Sequence, residues 1–244
     1  MKDILFIVCS RGRPGRFAEM ARAVLNTAAH PERVSFALYI DADDLDKQQY
    51  YNIAAGLPCM VLVNPKKRTI NDLYNEMAMK LRSDIYGVIA DDVVCRTQDW
   101  DLAIEYVLTD GDLQTVSPHD GQDMDHYAHF FVTREWLDTI GYLFWPEFDH
   151  FHADTQVLEI VSRAGQRAVL PHVLFEHMHF KYNLAPVDET YMACRKGPYL
   201  EGANALLKSL RPETEAAAQR ALAKWGKTRH ARKRQETRPV AAEG

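Results

Sequence analysis

Tyr86-Gly-Val-Ile-Ala-Asp-Asp92 is an apolar run of strand length closed by two adjacent acids. Far downstream, Ala168-Val-Leu-Pro-His-Val-Leu-Phe175 is a second apolar run, followed by His177-Met178-His179. Carboxylates at a strand end, joined by an imidazole from elsewhere in the chain, suit a divalent cation that holds phosphate oxygens. Acids after a strand also form turns and cap helices, so the order of elements around the pair has to decide the reading.

Upstream of Tyr86, strand-like and helix-like segments alternate. Ile4 to Cys9 is a continuous apolar run, and Ser10-Arg-Gly-Arg-Pro-Gly15 is a loop. From Arg16 to Thr27 the residues Phe17, Met20, Ala21 and Val24 recur at the spacing of an amphipathic helix. Val34 to Ile40 reads as a second strand, ended by Asp41-Ala-Asp-Asp44, and Met60 to Val63 as a third, ended by Asn64-Pro65. Thr69 to Arg82 reads as a helix, with Thr69 and Asp72 spaced as a capping pair and Leu73, Met77 and Leu81 on one face. Tyr86 to Ala90 is then a fourth strand. This alternation predicts an α/β fold with a mixed, largely parallel sheet flanked by helices. Ligands of such sheets bind outside the carboxyl ends of the strands, where this chain puts Ser10-Arg11, Asp41 to Asp44, Asn64 to Lys67 and Asp91-Asp92.

The second half is different in character. Thr97 to Leu108 reads as a helix and Leu113 to Ser117 as a strand, before the polar loop Pro118 to His126. An aromatic stretch from Tyr127 to Phe151 leads to a helix over Thr155 to Ala164, stopped by Gly165. Eight of the ten histidines lie between His119 and His179, so this half is expected to supply the facing wall of the cleft. Pro212 to Trp225 reads as an alanine-rich helix with Gly226 past its end. Lys227 to Arg238 then carries six Lys or Arg residues against the single Glu236, with no apolar pattern, and is expected to be disordered when free. The expected domain plan is residues 1–200 as one domain with halves 1–95 and 96–200, a helical segment 201–226, and a basic tail 227–244.

With 244 residues, 47% of them hydrophobic and 26% charged, the chain can build a sizeable core. Its net charge of -5 argues against a protein that coats nucleic acid over its whole surface. The four cysteines lie far apart with no paired zinc or redox spacing, which predicts buried reduced thiols. No apolar stretch approaches the roughly 20 residues that span a bilayer, and the first nine residues read as a strand rather than a signal peptide. A cytoplasmic protein is expected, with no membrane partner.

Several residues could carry chemistry. A hard cation that also holds phosphates needs only one or two carboxylates, and an added imidazole favours Mn²⁺ over Mg²⁺. On this reading His179 is the favoured histidine ligand, with His177 lining the site. Ser10 to Gly15 could hold phosphate through backbone amides, Arg11 and Arg13, although it lacks the Walker and dinucleotide glycine spacings. Asp41 and Asp43 are placed to accept from a base N–H or a ribose hydroxyl. Asp154 reads either as a helix cap or as a general base for an acceptor hydroxyl. His119 and Asp120, with Asp123 and Asp125, could face the cleft or belong to a solvated loop.

With those residues in place, the chain resembles the GT-A fold glycosyltransferases, in particular the inverting, family 2-like group that includes cellulose and chitin synthase-like enzymes. It looks closest to short members encoded by bacteriophages. The resemblance covers Ile4 to Tyr191 and rests on Ile-Val-Cys-Ser-Arg-Gly-Arg-Pro14, Tyr-Ile-Asp-Ala-Asp-Asp44, the helix entry from Asn71 to Ala78, Gly-Val-Ile-Ala-Asp-Asp92, Glu-His-Met-His179 and Asp188-Glu-Thr-Tyr191. It implies a nucleotide-sugar-binding half over 1–95 and an acceptor half over 96–200. It implies Asp92 as the metal ligand of the DxD motif, Asp91 at its middle position, and Ala90 where the family has its first acid. Asp41 matches the nucleobase contact, Asn71 falls in the donor site, and His179 matches the late histidine of metal or diphosphate binding. Asp154 matches the catalytic base, with Ala153 where an acid commonly precedes it.

The implied activity is transfer of a sugar from a nucleotide-diphosphate sugar, UDP-linked by expectation, to an acceptor hydroxyl with Mn²⁺ or Mg²⁺. The basic tail is a footprint for polyanions, and phage members of this fold include enzymes that glycosylate hydroxymethylated bases in DNA. A hydroxymethylated pyrimidine in phage DNA is therefore the expected acceptor, with cell-surface glycan as the alternative. A sugar-nucleotide nucleotidyltransferase would carry a longer glycine-rich loop than Ser10 to Gly15. A non-catalytic nucleotide- or DNA-binding module is the remaining alternative, suggested by Ala90 and Ala153.

Overall fold

The computed structural model describes residues 1–65, 68–109, 113–122, 127–149, 151–187, 192 and 198–236. Its strands are β1 (Ile4–Ser10), β2 (Val34–Asp41), β3 (Cys59–Asn64), β4 (Ile85–Val88), β5 (Val93–Cys95), β6 (Thr115–His119), β7 (Phe130–Thr133) and β8 (Val169–His177). They form one sheet in the order β3-β2-β1-β4-β7-β6-β8-β5. Neighbours from β3 to β4 pair in parallel, β7 runs antiparallel to both β4 and β6, β6 and β8 are parallel, and β5 is antiparallel to β8. The largely parallel α/β sheet expected from the sequence is the one observed.

The helices are α1 (Pro14–Thr27), α2 (Lys47–Ala54), α3 (Ile70–Lys80), α4 (Trp100–Thr109), α5 (Arg134–Ile140), α6 (Ala153–Arg163), α7 (Pro198–Ser209) and α8 (Arg211–Glu236). They cover both faces of the sheet, which explains why β1, β2 and β4 read as continuous apolar runs instead of alternating ones. Phe6, Phe36, Ile85 and Phe131 pack under α1 and α4, whereas Ile7, Tyr39, Tyr86 and Val132 pack under α3, α5, α6 and α8. Gly87 is required by this packing. A Cβ there would come within 2.8 Å of the Phe6 ring and 3.0 Å of the Phe131 ring. Phe6 has no room to retreat, because it is fully buried and its ring stacks or abuts those of Phe36, Trp100, Phe131 and Phe175.

The chain departs from its sequence reading at several element ends. β4 stops at Val88 rather than Ala90, so the two acids sit in a short connection to β5, a strand the sequence reading did not include. Thr69 caps α3 as expected, its hydroxyl accepting from the Asp72 amide at 3.1 Å. Asp154 is not the cap of α6: that position is His152, at φ +67°, and Asp154 lies inside the first turn. The last helix does not end at Gly226 but runs to Glu236. Between 227 and 236, Lys, Arg, Gln, Glu and Ala are all strong helix formers, and one glycine costs only about 1 kcal/mol. Residues 237–244, Arg238 among them, lie outside the described residues, as do Lys66, Lys67, Asp123, Asp125, His126, Asp188 to Tyr191 and Cys194. Cys9, Cys59 and Cys95 are free thiols, of which only Cys95 is fully buried. Among the described residues, no helix is long and apolar enough to cross a membrane.

Candidate active site

The chain builds β1, β2 and β3 outward in one direction, then returns to add β4 on the other side of β1. The carboxyl ends of β1 and β4 therefore flank a topological switch point, where the connections diverge and leave a crevice. A cleft of about 430 Å³ opens there, lined by Ser10, Arg11, Arg13, Tyr39, Asp41, Arg68, Leu73, Tyr74, Asp91, Asp92, Asp149, Phe151, His177 and His179, among others.

The loop after β1 is braced from below. Gly12, at φ +64°, takes a backbone conformation that favours glycine, and its amide donates to Asp44 Oδ2 at 2.9 Å. The Tyr50 hydroxyl of α2 lies 2.6 Å from Ser10 Oγ and accepts from the Arg13 amide at 2.9 Å. Burial pushes the Tyr50 hydroxyl up to about 12. The amides of Gly12 and Arg13 are thus engaged by Asp44 and Tyr50.

Those side chains form a charge cluster. Ser10 Oγ donates to Asp91 Oδ2 at 2.5 Å, and Arg13 Nη1 donates to Asp91 Oδ1 at 3.2 Å. Asp92 has Arg16 Nη1 at 3.8 Å, Arg13 Nη1 at 3.9 Å and His177 Nε2 at 3.3 Å. Both acids are buried. Desolvation, followed by the neighbouring Asp92 charge, raises Asp91 to about 6 despite the opposing pull of Arg13. At the carboxyl end of β2, Arg11 Nη1 bridges Asp41 Oδ2 at 2.7 Å and Asp43 Oδ1 at 2.5 Å. Asn64, the register partner of Asp41 across β2 and β3, donates to Asp41 Oδ1 at 3.1 Å. Asp41 lines the cleft; Asp43 is exposed and does not.

β5 brings the histidines to the acids. Its register sets Val93 opposite His177, and the Met178 amide donates to the Asp92 carbonyl at 2.8 Å. His177 rests edge-on against buried His129, ring centroids 4.8 Å apart, and burial drives His129 down to about 3, so it stays neutral. His177 and His179 both line the cleft: His177 Nε2 lies 3.3 Å from Asp92 Oδ1, and His179 Nδ1 accepts from the Lys181 amide at 3.2 Å. Among the described residues, no three His, Cys, Asp or Glu side chains stand close enough to enclose a metal. Asp92 and His177 could together contribute a carboxylate and an imidazole to a cation that also holds substrate phosphates.

The remaining candidates are placed elsewhere. Asn71 is buried and does not line the cleft; its Nδ2 donates to the Phe148 carbonyl at 2.7 Å. His119 Nδ1 accepts from the Gly121 amide, and Asp120 Oδ1 from the Gln122 amide, so both shape their own turn. The Asp120 carbonyl accepts from the His177 amide, which ties that turn to the end of β8. Asp154 Oδ1 accepts from the Thr155 amide at 2.8 Å, and Asp154 does not line the cleft. Asp149, Phe151, Arg16 and Arg68 were not among the candidates from the sequence. Arg16 alone left a sequence trace, as a cation one turn into the helix after the Ser10 to Gly15 loop.

Comparison with solved structures places this architecture. The chain superposes on the mannosyltransferase PcManGT from Pyrobaculum calidifontis, determined with GDP-Man and Mn²⁺, at a TM-score of 0.60 and 15% identity, over 91% of this chain and 74% of that one. It also superposes on residues 1–349 of Staphylococcus aureus TarS at a TM-score of 0.58 and 10% identity, over 81% and 70%. Against a longer TarS structure the values are 0.59 and 10%, over 81% and 43%. The chain shares their fold. No protein-family model matches it, and no curated protein does.

Proposed function

We propose that the protein is a metal-dependent glycosyltransferase that moves a sugar from a nucleotide-diphosphate sugar to an acceptor hydroxyl. The observation that carries this reading is the cleft at the β1–β4 switch point, where Asp91 and Asp92 meet Arg13, Arg16 and His177. The shared fold with a mannosyltransferase determined with GDP-Man and Mn²⁺ supports it. Asp41, steadied by Arg11 and Asn64, would accept from the nucleobase or ribose. Arg13 and Arg16 would meet the diphosphate oxygens, exchanging part of their attraction to Asp91 and Asp92 for phosphate.

Asp92 and His177 would hold Mn²⁺ or Mg²⁺, with His179 beside them. Such a cation stabilises the negative charge of a departing diphosphate. In the reaction the bond between the anomeric carbon and the diphosphate oxygen breaks, and its electron pair leaves with the nucleoside diphosphate. The acceptor oxygen bonds to that carbon from the opposite face, which inverts the configuration, and Asp154 takes the hydroxyl proton. Asp154 would have to turn from the Thr155 amide towards the acceptor.

The nucleotide is proposed as uridine and the acceptor as a hydroxymethylated pyrimidine in DNA. The run of Lys and Arg from 227 to 238 supports the latter. Donor hydrolysis tests the function, with UDP-sugars and GDP-mannose each assayed with Mn²⁺, with Mg²⁺ and with EDTA. Metal-dependent release of a nucleoside diphosphate is expected. Release of pyrophosphate from a nucleoside triphosphate and a sugar phosphate would assign a nucleotidyltransferase instead, and no turnover of any donor would assign a binding module.

A further inference from the structure

Four carboxylates line the cleft: Asp41, Asp91, Asp92 and Asp149. Three are engaged by cations of the chain itself, Asp41 by Arg11, Asp91 by Arg13, and Asp92 by Arg13 and Arg16. Asp149 is different. Among the described residues, none donates to its carboxylate, and it is exposed to the cleft beside Phe151.

Its loop is nevertheless fixed. Asn75 of α3 accepts from the Leu143 and Phe144 amides at 2.8 and 3.0 Å and donates to the Phe144 carbonyl at 2.6 Å. Asn71, one turn earlier, donates to the carbonyl of Phe148, whose ring is fully buried. Two asparagines of one helix therefore hold the backbone up to the residue before Asp149. The same helix supplies Leu73 and Tyr74 to the cleft. A charged acceptor on so firm a base is suited to selective hydrogen bonding, because little ordering remains to be done when ligand arrives.

Charge decides which part of a donor could lie there. An uncommitted carboxylate repels phosphate, which the arginine-rich end of the cleft attracts. A neutral, polyhydroxylated ring suits Asp149 and Phe151 together: hydroxyls donate to the carboxylate, and the apolar face of the ring packs on the aromatic side chain.

We propose that Asp149, with Phe151 beside it, reads the hydroxyl pattern of the sugar being transferred. This inference rests on the glycosyltransferase reading of the cleft. Calorimetry on the full chain with Mn²⁺ tests it, comparing UDP and GDP with UDP-glucose, UDP-galactose, GDP-mannose and GDP-glucose, in the parent protein, Asp149→Asn and Asp149→Ala. Affinity for the free nucleoside diphosphate should stay within about twofold, whereas the preferred sugar nucleotide should weaken roughly ten- to a hundredfold, as for loss of a hydrogen bond to a charged group. The ratio between epimeric donors should fall with it. A parent protein that binds no nucleoside diphosphate would overturn this inference together with the function beneath it. Normal diphosphate binding with unchanged epimer discrimination in both variants would overturn this inference alone.

Discussion

His177 Nε2 stands 3.3 Å from Asp92 Oδ1, although the two residues belong to opposite halves of the chain. Two backbone features enforce that distance: the β5–β8 register that sets Val93 against His177, and the Met178 amide bonded to the Asp92 carbonyl. This side-chain pair is fixed from both backbones, as the cation site proposed above needs, and the buried His129 ring behind His177 limits its rotation. With Mn²⁺ present, His177→Ala and Asp92→Ala should each weaken nucleoside diphosphate binding tenfold or more, and EDTA should do the same to the parent protein. His179→Ala should have the smaller effect, since its Nδ1 already serves the Lys181 amide. Calorimetry decides the order; a His177→Ala protein that binds like the parent removes His177 from the metal shell.

Asp91 gives the protein a pH signature. Its carboxyl is raised to about 6, first by burial and then by Asp92. Between about pH 4 and pH 6 the folded chain therefore binds more protons at this site than the unfolded chain, so its contribution to stability falls as pH rises through that window. Asp91→Asn removes the charge while keeping an acceptor for Ser10. Urea denaturation should find it more stable than the parent at pH 8, by on the order of 2 kcal/mol, with the difference vanishing below about pH 4. Equal curves at pH 8 would show that Arg13 and Ser10 fully offset the cost of burying the charge.

Gly87 tests the packing beneath the acids. Gly87→Ala forces a methyl against the Phe6 and Phe131 rings, and overpacking of this kind costs about 1–3 kcal/mol. Chemical denaturation should register that loss. A variant as stable as the parent would mean that the rings yield.

Much of this architecture could be read from residue pattern because burial on both sheet faces leaves continuous apolar runs at β1, β2 and β4. Periodicity and the Thr69 cap mark α1 and α3 in the same way. The cleft was legible where polar groups end those strands, at Ser10, Asp41 and Asp91-Asp92. What stayed hidden depends on long-range pairing. Val93-Val-Cys95 is too short to announce a strand, yet β5 decides which histidine meets Asp92. Asn71 looked like a ligand contact because it opens a helix beside the cleft, whereas its amide holds the Phe148 carbonyl. Asp149 carries no local signal, since the two asparagines of α3 that hold its loop lie about 70 residues upstream.

Asp154 separates chemistry from local structure. Its Oδ1 accepts from the Thr155 amide, and asparagine can keep that bond with its own carbonyl oxygen. Asp154→Asn should therefore unfold at nearly the parent temperature while sugar transfer drops about 10²-fold or more, the loss of a general base. Donor binding should be unchanged. Near-normal turnover would leave Asp154 with only its place in the first turn of α6.

The end of α8 tests the acceptor. Trp225 is buried and stacks on Trp136 of α5, ring centroids 5.8 Å apart. Truncation after Gly226 should leave the melting temperature and donor hydrolysis unchanged while removing the six Lys and Arg residues between 227 and 238. If these contact DNA phosphates, the log–log slope of binding against salt should flatten by at most about 5, at roughly 0.9 per neutralised phosphate. Not every one of six cations reaches a phosphate at once, so a change of about 2–3 is expected. Filter binding of full-length and truncated protein at several salt concentrations provides the measurement. Parallel lines for the two proteins would take away the support for a DNA acceptor and turn the search to glycan.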